Sequence, residues 1–234
     1  MTVDSTSVTM TKFHPSFAKD EYVALVASRL AEAQERIDRV ISTFRAPQIV
    51  GVTKTFGPEA LEAALLAGLS DVGENYIEEL EVKRAALADL PLRWHYLGAL
   101  QSNKIARIIS VADVISGVSR KKEIDRIAMA TRDICIDIQV DFTHAPERNG
   151  ASQDEVADLV IYARAKDVTV RGLMTIAPVG EGAQSAFEAT RALADSLELE
   201  GCSMGMTEDL ELAIQAGSSE LRLGRALFGS RTVR

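Results

Sequence analysis

A lysine follows the first short apolar segment of the chain. Lys54 comes directly after residues 49–52, Ile-Val-Gly-Val, and Thr53, a position in which we expect its amine to be partly removed from water. Desolvation lowers the pKa of an amine, and the neutral amine is the form that attacks a carbonyl group to form a Schiff base. The alternative is a lysine that ends a strand and keeps its ammonium group in water. Taken alone, the residue fits both interpretations.

Two turns near the end of the sequence carry residues that could bind a phosphate group. Ser203 can donate a hydroxyl, and Gly205 and Gly224 allow the backbone to approach a ligand closely. Arg222 adds a positive charge. Backbone N–H groups at the start of a helix are a common phosphate site. The alternative is a simple turn in which Thr207 is the N-cap of the next helix, and one turn can serve both purposes.

Two further segments place polar side chains after apolar ones. Asn75 lies in Gly73-Glu74-Asn75-Tyr76, where it could enter a site or belong to a solvated turn. His95 stands between Trp94 and Tyr96, where it could contact a bound ring or be a core histidine with a hydrogen-bond partner. A lysine and a phosphate-binding turn at one site would be a sharper indication of function than either feature alone.

The elements that would hold these residues alternate along the chain. An amphipathic helix is predicted for residues 20–44, and apolar segments rich in β-branched residues then alternate with helical patterns. The strands are predicted at 48–53, 71–74, 93–98, 113–118, 134–140, 168–174, 198–203 and 221–223. The helices between them are predicted at 58–67, 77–87, 103–110, 121–131, 153–165, 181–196 and 208–216.

The number and type of strands predict the fold class. Short strands that are apolar on both faces are typical of a parallel sheet covered by helices, and eight of them close a (β/α)8 TIM barrel. A doubly wound open sheet competes, but no G-x-G-x-x-G follows the first strand. We predict one α/β barrel domain over residues 19–234, with an extra N-terminal helix, behind a loose tail of residues 1–18. Its active face would lie at the carboxyl ends of the strands.

Composition excludes several classes of protein. The 234 residues carry 26 Lys+Arg and 34 Asp+Glu, a net charge of −8, and are 47% hydrophobic. This excludes disorder for most of the chain and argues against a nucleic-acid binder. No apolar stretch approaches the roughly 20 residues that span a bilayer, and the first ten residues lack the apolar run of a signal peptide. We expect a cytoplasmic monomer with no nucleic-acid or membrane partner.

The two cysteines do not indicate a metal site. Cys135 and Cys202 lie 67 positions apart, with no cysteine or histidine at metal-ligand spacing. We therefore predict no zinc site and no disulfide framework, and interpret both residues as small core residues.

Several segments together resemble one known family. They are Gly51-Val52-Thr53-Lys54-Thr55, Gly73-Glu74-Asn75-Tyr76, Trp94-His95-Tyr96-Leu97-Gly98, Leu100-Gln101-Ser102-Asn103-Lys104, Gly172-Leu173-Met174-Thr175-Ile176, Ser203-Met204-Gly205-Met206 and Arg222-Leu223-Gly224. In this order, from about residue 20 to 232, the chain resembles the pyridoxal phosphate homeostasis protein family. The resemblance implies a barrel like the N-terminal domain of alanine racemase, with pyridoxal 5′-phosphate as the cofactor.

The resemblance also implies roles around the cofactor ring. Lys54 would hold pyridoxal phosphate as a Schiff base, Asn75 would lie near the ring, and Arg222 would face the pyridine nitrogen. Because a guanidinium group stays protonated, it cannot readily give a proton to that nitrogen, and the cofactor becomes a poorer electron sink.

By the same resemblance, the phosphate would be held by Ser203, Gly224 and Arg225. Arg225 would act through its backbone N–H. The family usually has threonine at this position, whose hydroxyl would also reach the phosphate. Arginine in its place could contribute its charge or turn outward.

Three functions are compatible with these residues. The resemblance implies a non-catalytic protein that buffers or delivers pyridoxal phosphate in vitamin B6 homeostasis, with apo-enzymes as its partners. A weakly active amino-acid racemase is the alternative, but it needs a second base from a separate domain, and the chain ends at Arg234, soon after the last strand. A Schiff-base aldolase would usually carry its lysine later in the barrel. We therefore predict a carrier with no metal site.

Overall fold

The computed structural model describes residues 18–41, 45–143, 149–178 and 180–229. The predicted N-terminal tail thus lies outside the described residues except for Ala18. Ala18 is buried, and its backbone N–H donates to Glu62 Oε2 at 2.6 Å. The described part of the chain therefore begins in contact with the body of the protein.

Eight parallel strands form a closed barrel in chain order, which confirms the predicted fold. Gly51 of the first strand pairs with Val72 of the second and with Leu223 of the last, which closes the ring. The strands are β1 (Gln48–Val52), β2 (Asp71–Glu74), β3 (Arg93–Tyr96), β4 (Val114–Val118), β5 (Cys135–Val140), β6 (Thr169–Thr175), β7 (Gly201–Ser203) and β8 (Glu220–Leu223).

Helices alternate with these strands and cover the barrel. They are α1 (Asp20–Val40), α2 (Pro58–Leu66), α3 (Ile77–Ala86), α4 (Ile105–Val111), α5 (Lys121–Ile127), α6 (Gln153–Arg164), α7 (Ala183–Ser196), α8 (Leu210–Gln215) and α9 (Arg225–Phe228). In several of these helices the buried residues recur at three- and four-residue steps, as in Ile77 and Leu80 of α3 or Val156 and Val160 of α6. The main apolar core is therefore the layer between helices and sheet.

Several element boundaries differ from the prediction by up to four residues. Helix α1 ends at Val40, and residues 42–44 lie outside the described residues. Strand β7 begins at Gly201 rather than at residue 198, because Glu198 has a φ of 55° and its N–H donates to Asp195 O in the turn that ends α7. The four-residue helix α9 was not predicted.

Helix α1 packs on the outside of the barrel beside α2, α8 and α9. Val26, Ala33 and Ile37 form its buried face. Arg36 donates to both carboxylate oxygens of Glu211 at 2.7 and 2.8 Å and to Thr207 O at 3.1 Å. The extra N-terminal helix thus supports the turn that follows β7. No described helix is long and apolar enough to cross a membrane.

The interior of the barrel contains a buried ion-pair network. Arg171 of β6 donates to both oxygens of Asp137 at 3.0 and 2.6 Å, and to Glu220 Oε2 at 2.6 Å. Ser116 donates its hydroxyl to Asp137 at 2.7 Å. Both carboxylates are almost fully buried. A charge removed from water requires a compensating partner. Here Arg171 compensates the charges of Asp137 and Glu220, and these contacts link β5, β6 and β8.

His95 extends this network toward β2. It is fully buried, and its Nε2 lies 2.8 Å from Asp71 Oδ1, while its Nδ1 lies 3.9 Å from Glu220 Oε2. Burial raises the pKa of the Asp71 carboxyl, but the hydrogen bond and charge of His95 outweigh this effect. The pKa of Asp71 therefore lies below its usual value. Of the two interpretations of His95, the structure supports the core histidine.

Candidate functional site

A cavity of about 500 Å³ lies at the carboxyl ends of the strands. Its lining comes from the ends of β1, β6 and β8 and from segments that follow β1, β2, β3, β6, β7 and β8, and includes Lys54, Asn75, Ala177, Thr207 and Arg225. Active sites of barrels of this type lie at this end, and pockets for small ligands span roughly 300–1,000 Å³. The cavity is therefore the candidate functional site.

Lys54 lies two residues beyond β1 and lines the cavity. Its side chain is half-buried, between the fully buried Thr53 and the exposed Thr55. The neighbouring Phe56 also lines the cavity and packs against Phe228 of α9, with ring centroids 5.7 Å apart. The amine thus belongs to a wall that combines polar and aromatic groups.

Arg222 places a buried positive charge in the cavity wall. The residue is 6% exposed. Its Nη1 donates to the backbone oxygen and the hydroxyl of Ser203 at 2.6 and 2.7 Å, and its Nη2 donates to Thr175 O at 2.7 Å. No described carboxylate lies within 4.0 Å of it. Burial lowers the pKa of Arg222, yet arginine stays protonated in proteins, so the wall retains a cation suited to an anionic ligand.

Ser203 lies beside the cavity rather than in its lining. It is 2% exposed, and its hydroxyl accepts from Arg222 and donates to Glu220 Oε1 at 2.6 Å. The hydroxyl therefore links the cavity's guanidinium to the interior ion pair of Glu220 and Arg171. A ligand that uses this hydroxyl must compete with the two partners that it has here.

Gly224 and Arg225 both line the cavity at the start of α9. A Cβ on Gly224 would lie 3.2 Å from Val52 O, so glycine keeps this edge of the site open. Arg225 Nη2 donates to Glu208 Oε1 at 2.7 Å, and both side chains are well exposed. The sequence left two possibilities for the Arg225 side chain, that it contributes its charge to the phosphate or that it turns outward. In the structure it lies at the rim and pairs with Glu208, a residue that the sequence analysis did not identify.

The turn after β7 is built differently from the simple N-cap alternative. Helix α8 begins at Leu210 with Asp209 as its N-cap residue, so Thr207 is not the N-cap. Instead, Thr207 Oγ1 accepts from Ala226 N–H at 3.3 Å, and Asp209 Oδ1 accepts from Met206 N–H at 2.6 Å. Because Ala226 lies 19 positions from Thr207 in the sequence, the motif around Thr207 could not predict this hydrogen bond.

Asn75 lines the cavity directly after β2. Gly98 packs against it so closely that a Cβ there would lie 2.1 Å from Asn75 O. A side chain at position 98 would thus displace this loop. The structure therefore brings Lys54, Asn75, Arg222, Gly224 and Arg225 to one cavity, with Ser203 in contact with it.

The described residues contain no group of three or more His, Cys, Asp or Glu side chains that could hold a metal ion. Cys202 is buried and Cys135 is partly exposed, and both thiols are free.

Comparisons with known proteins agree with this architecture. The family model described as alanine racemase, N-terminal domain, matches residues 28–232. A pyridoxal phosphate homeostasis protein of Pseudomonas aeruginosa is 35% identical over 223 residues, which cover 90% of this chain and 95% of that protein. One of Aquifex aeolicus is 32% identical over 227 residues, with coverage of 90% and 97%.

Solved structures show the same fold. PipY of Synechococcus elongatus, with pyridoxal phosphate bound, is 30% identical with a TM-score of 0.77, and the match covers 87% of this chain and all of that one. Alanine racemase of E. faecalis, at 14% identity and a TM-score of 0.67, shares the fold over 89% of this chain and 58% of its own. The family model and these relatives together show that this chain belongs to the alanine racemase N-terminal domain family and, within the proteins compared, to the pyridoxal phosphate homeostasis proteins.

Proposed function

We propose that this protein binds pyridoxal 5′-phosphate as a Schiff base on Lys54 and buffers or delivers it, without catalysing a reaction of its own. The observation that carries the proposal is that the Lys54 amine and the buried Arg222 guanidinium line the same cavity. An amine can bind the aldehyde of a phosphorylated aldehyde, and a cation in the same cavity favours a ligand whose net charge is negative. The recipients would be apo-enzymes that use this cofactor.

The relatives support the choice of ligand. Those of Pseudomonas aeruginosa and Aquifex aeolicus carry the name pyridoxal phosphate homeostasis protein, and PipY has been solved with pyridoxal phosphate bound. Each of them covers most of this chain. The same ligand is therefore proposed here.

The residues of this site fit the cofactor. The cavity volume of about 500 Å³ suits a small ligand, and the missing side chain of Gly224 leaves room beside Val52 O. We assign Asn75 and Arg222 to the ring, and Ser203, Gly224 and the backbone N–H of Arg225 to the phosphate. Ser203 would have to exchange at least one of its present partners to do so.

The chain's own groups prepare the site for binding. Pyridoxal phosphate supplies an aldehyde that joins an amine reversibly. The Arg222 cation in the same cavity wall favours an anionic ligand. Thr175 and Ser203 hold that guanidinium by three hydrogen bonds, so its position is set before a ligand arrives.

The absence of turnover is proposed from the other groups in the cavity. Racemisation needs a second base on the opposite face of the cofactor. Among the described residues that line the cavity there is no histidine, cysteine or tyrosine. Its carboxylates are already engaged, since Glu208 pairs with Arg225 and Asp209 accepts from Met206 N–H.

The test is an absorption spectrum of the protein with pyridoxal phosphate, before and after borohydride, followed by peptide mapping. We expect a band that borohydride removes and a label on the peptide containing Lys54. Lys54→Ala should abolish the label. Lys104→Ala is the control, because Lys104 lies outside the cavity lining and pairs with Glu78 at 3.0 Å. No band in the wild type, or a band that persists in Lys54→Ala, would contradict the proposal.

Turnover is tested separately with the loaded protein. We expect no interconversion of L- and D-alanine above the rate that free pyridoxal phosphate gives. Sustained racemisation that is lost in Lys54→Ala would contradict the non-catalytic part of the proposal and favour the racemase.

A further inference from the structure

The residue before Lys54 is held in place by three contacts. Thr53 is fully buried, and its N–H donates to Gly73 O at 3.0 Å. Its hydroxyl donates to Glu74 Oε1 at 2.5 Å, and its carbonyl oxygen accepts from Lys83 Nζ at 2.8 Å. The backbone on the amino side of Lys54 is therefore fixed to β2 and to α3.

The residue after Lys54 is held in an unfavourable conformation. Thr55 has a φ of 69°, in the left-handed region that β-branched residues rarely adopt. Its N–H donates to Glu79 Oε2 at 2.8 Å. Such conformations persist where surrounding contacts impose them, and they cluster at functional sites. Glu79, on α3, thus fixes the carboxyl side of Lys54.

Lys83 joins the two sides. Its ammonium group uses all three of its donors, to Thr53 O, to Glu74 Oε1 at 2.6 Å and to Glu79 Oε2 at 3.1 Å. The side chain is only 4% exposed and that of Glu74 is fully buried. The second carboxylate oxygen, Glu74 Oε2, has no hydrogen-bond partner among the described residues.

This cluster is not explained by stability alone. Apolar side chains of similar volume often stabilise a core as well as a buried ion pair does. They could not, however, bind the carbonyl oxygen of Thr53 or orient the carboxylate that holds Thr55. What the ion pairs add is a fixed path for the backbone on both sides of Lys54.

We propose that Lys83 is a positioning residue for Lys54, and that through Glu74 and Glu79 it fixes residues 53–55 so that the Lys54 amine is aimed into the cavity. This inference rests on the proposed function, because it concerns the attachment of pyridoxal phosphate to that amine. Covalent attachment depends strongly on the alignment of the reacting groups, and misplacement by about 1 Å can slow a reaction about a hundredfold. The noncovalent contacts of the ligand depend on other residues, chiefly Arg222 and Gly224.

The experiment separates attachment from binding. Lys83→Met and Glu79→Ala are compared with the wild type in the rate at which borohydride traps pyridoxal phosphate on Lys54, and in affinity for 4-deoxypyridoxine 5′-phosphate, which lacks the aldehyde. We expect trapping to slow about tenfold or more, while affinity for the analogue changes less than about threefold. Glu78→Ala is the matched control, because Glu78 is the neighbouring carboxylate on α3 but contacts Lys104 and Arg107 instead.

Each outcome decides the question. Unchanged trapping in both variants would overturn the inference while leaving the proposed function intact. A parallel loss of trapping and of analogue affinity would also overturn it, since that is the result of a purely structural role. If the wild type itself takes no label on Lys54, the proposed function fails and this inference fails with it. Should Lys83→Met not fold, Glu79→Ala decides, because the Glu79 side chain is 30% exposed and its removal leaves the Lys83–Glu74 pair in place.

Discussion

One nitrogen of the Arg222 guanidinium group binds Ser203 twice, through the backbone oxygen at 2.6 Å and the hydroxyl at 2.7 Å. The other terminal nitrogen reaches Thr175 O at 2.7 Å. A side chain from β8 thereby connects the ends of β7 and β6. The guanidinium group that places a positive charge in the cavity wall therefore also joins the ends of three neighbouring strands.

Replacement of Arg222 is expected to destabilise the protein. Arg222→Leu would leave buried oxygens of Ser203 and Thr175 without their donor and would open a small void, at a cost of about 2–4 kcal/mol in the free energy of unfolding. Urea unfolding measures it. Arg225→Leu is the control, because the exposed pair of Arg225 and Glu208 should contribute less than about 1 kcal/mol. Equal losses in the two variants would contradict the structural role of Arg222.

The interior ion pair predicts a dependence of stability on pH. Burial raises the pKa of the Asp137 carboxyl, but the charge and hydrogen bonds of Arg171 and the Ser116 hydroxyl outweigh this effect and place the pKa below its usual value of 3.8. The unfolded chain therefore binds this proton at higher pH than the folded one. The stabilisation is complete above about pH 5, decreases as the pH falls below the unfolded value of 3.8, and is lost once the pH has fallen through the pKa of the folded state.

Asp137→Asn tests this linkage. At pH 7 the variant should be less stable by about 3 kcal/mol, since Arg171 loses one of its two carboxylate partners in the interior. The difference from the wild type should narrow toward pH 3, as measured by urea midpoints at several pH values. Asp89→Asn, a change at an exposed residue, should show no such trend. A difference that stays constant or widens in acid would show that Asp137 does not titrate as expected.

Gly205 is expected to be intolerant of a side chain. Its φ is 95°, and an added Cβ would lie 2.5 Å from Ala213 Cβ and 2.8 Å from Leu221 Cδ2. Gly205→Ala should therefore cost about 3 kcal/mol and weaken binding of pyridoxal phosphate, because it displaces the turn after β7. Gly68→Ala is a matched control, since Gly68 has a φ of 100° but nothing within 4 Å of the added atom.

The control isolates the cost of the backbone conformation, which should be about 1 kcal/mol. Thermal unfolding and titration with pyridoxal phosphate measure the two effects. If Gly205→Ala were no worse than Gly68→Ala, then the close packing of this turn would be unimportant for the site.

The two cysteines should differ in reactivity. Burial raises the pKa of the Cys202 thiol to about 12, and reaction with a disulfide reagent requires the thiolate. Titration with Ellman's reagent at pH 8 should therefore detect one thiol, the partly exposed Cys135, in the native protein and two after unfolding in urea. In Cys135→Ala the rapidly reacting thiol should disappear. Two rapid thiols in the native wild type would mean that β7 opens easily.

The sequence by itself determined the barrel and the place of its open end. The alternation of short apolar strands with amphipathic helices is a local property, since each pattern depends on residues within a few positions of one another. It therefore predicted all eight strands, and with them that Lys54, Asn75, Arg222 and Gly224 would follow or end strands on the same side. Where a strand boundary differed from the prediction, the cause was also a local feature of the backbone. The turn at Glu198, for example, makes β7 begin at Gly201.

The tertiary structure decided which side chains meet. Lys83 binds Thr53 across 30 positions of sequence, and Arg171 binds Glu220 across 49. Hydrophobic periodicity carries no information about such pairs, because it records only which face of an element is buried. For the same reason, the hydrogen bonds of Ser203 to Arg222 and Glu220, and the pairing of Arg225 with Glu208, could not be read from the motifs that contain them. They follow from the closure of the barrel, which brings β8 against β1 and β7 and places these polar groups within hydrogen-bond distance of one another.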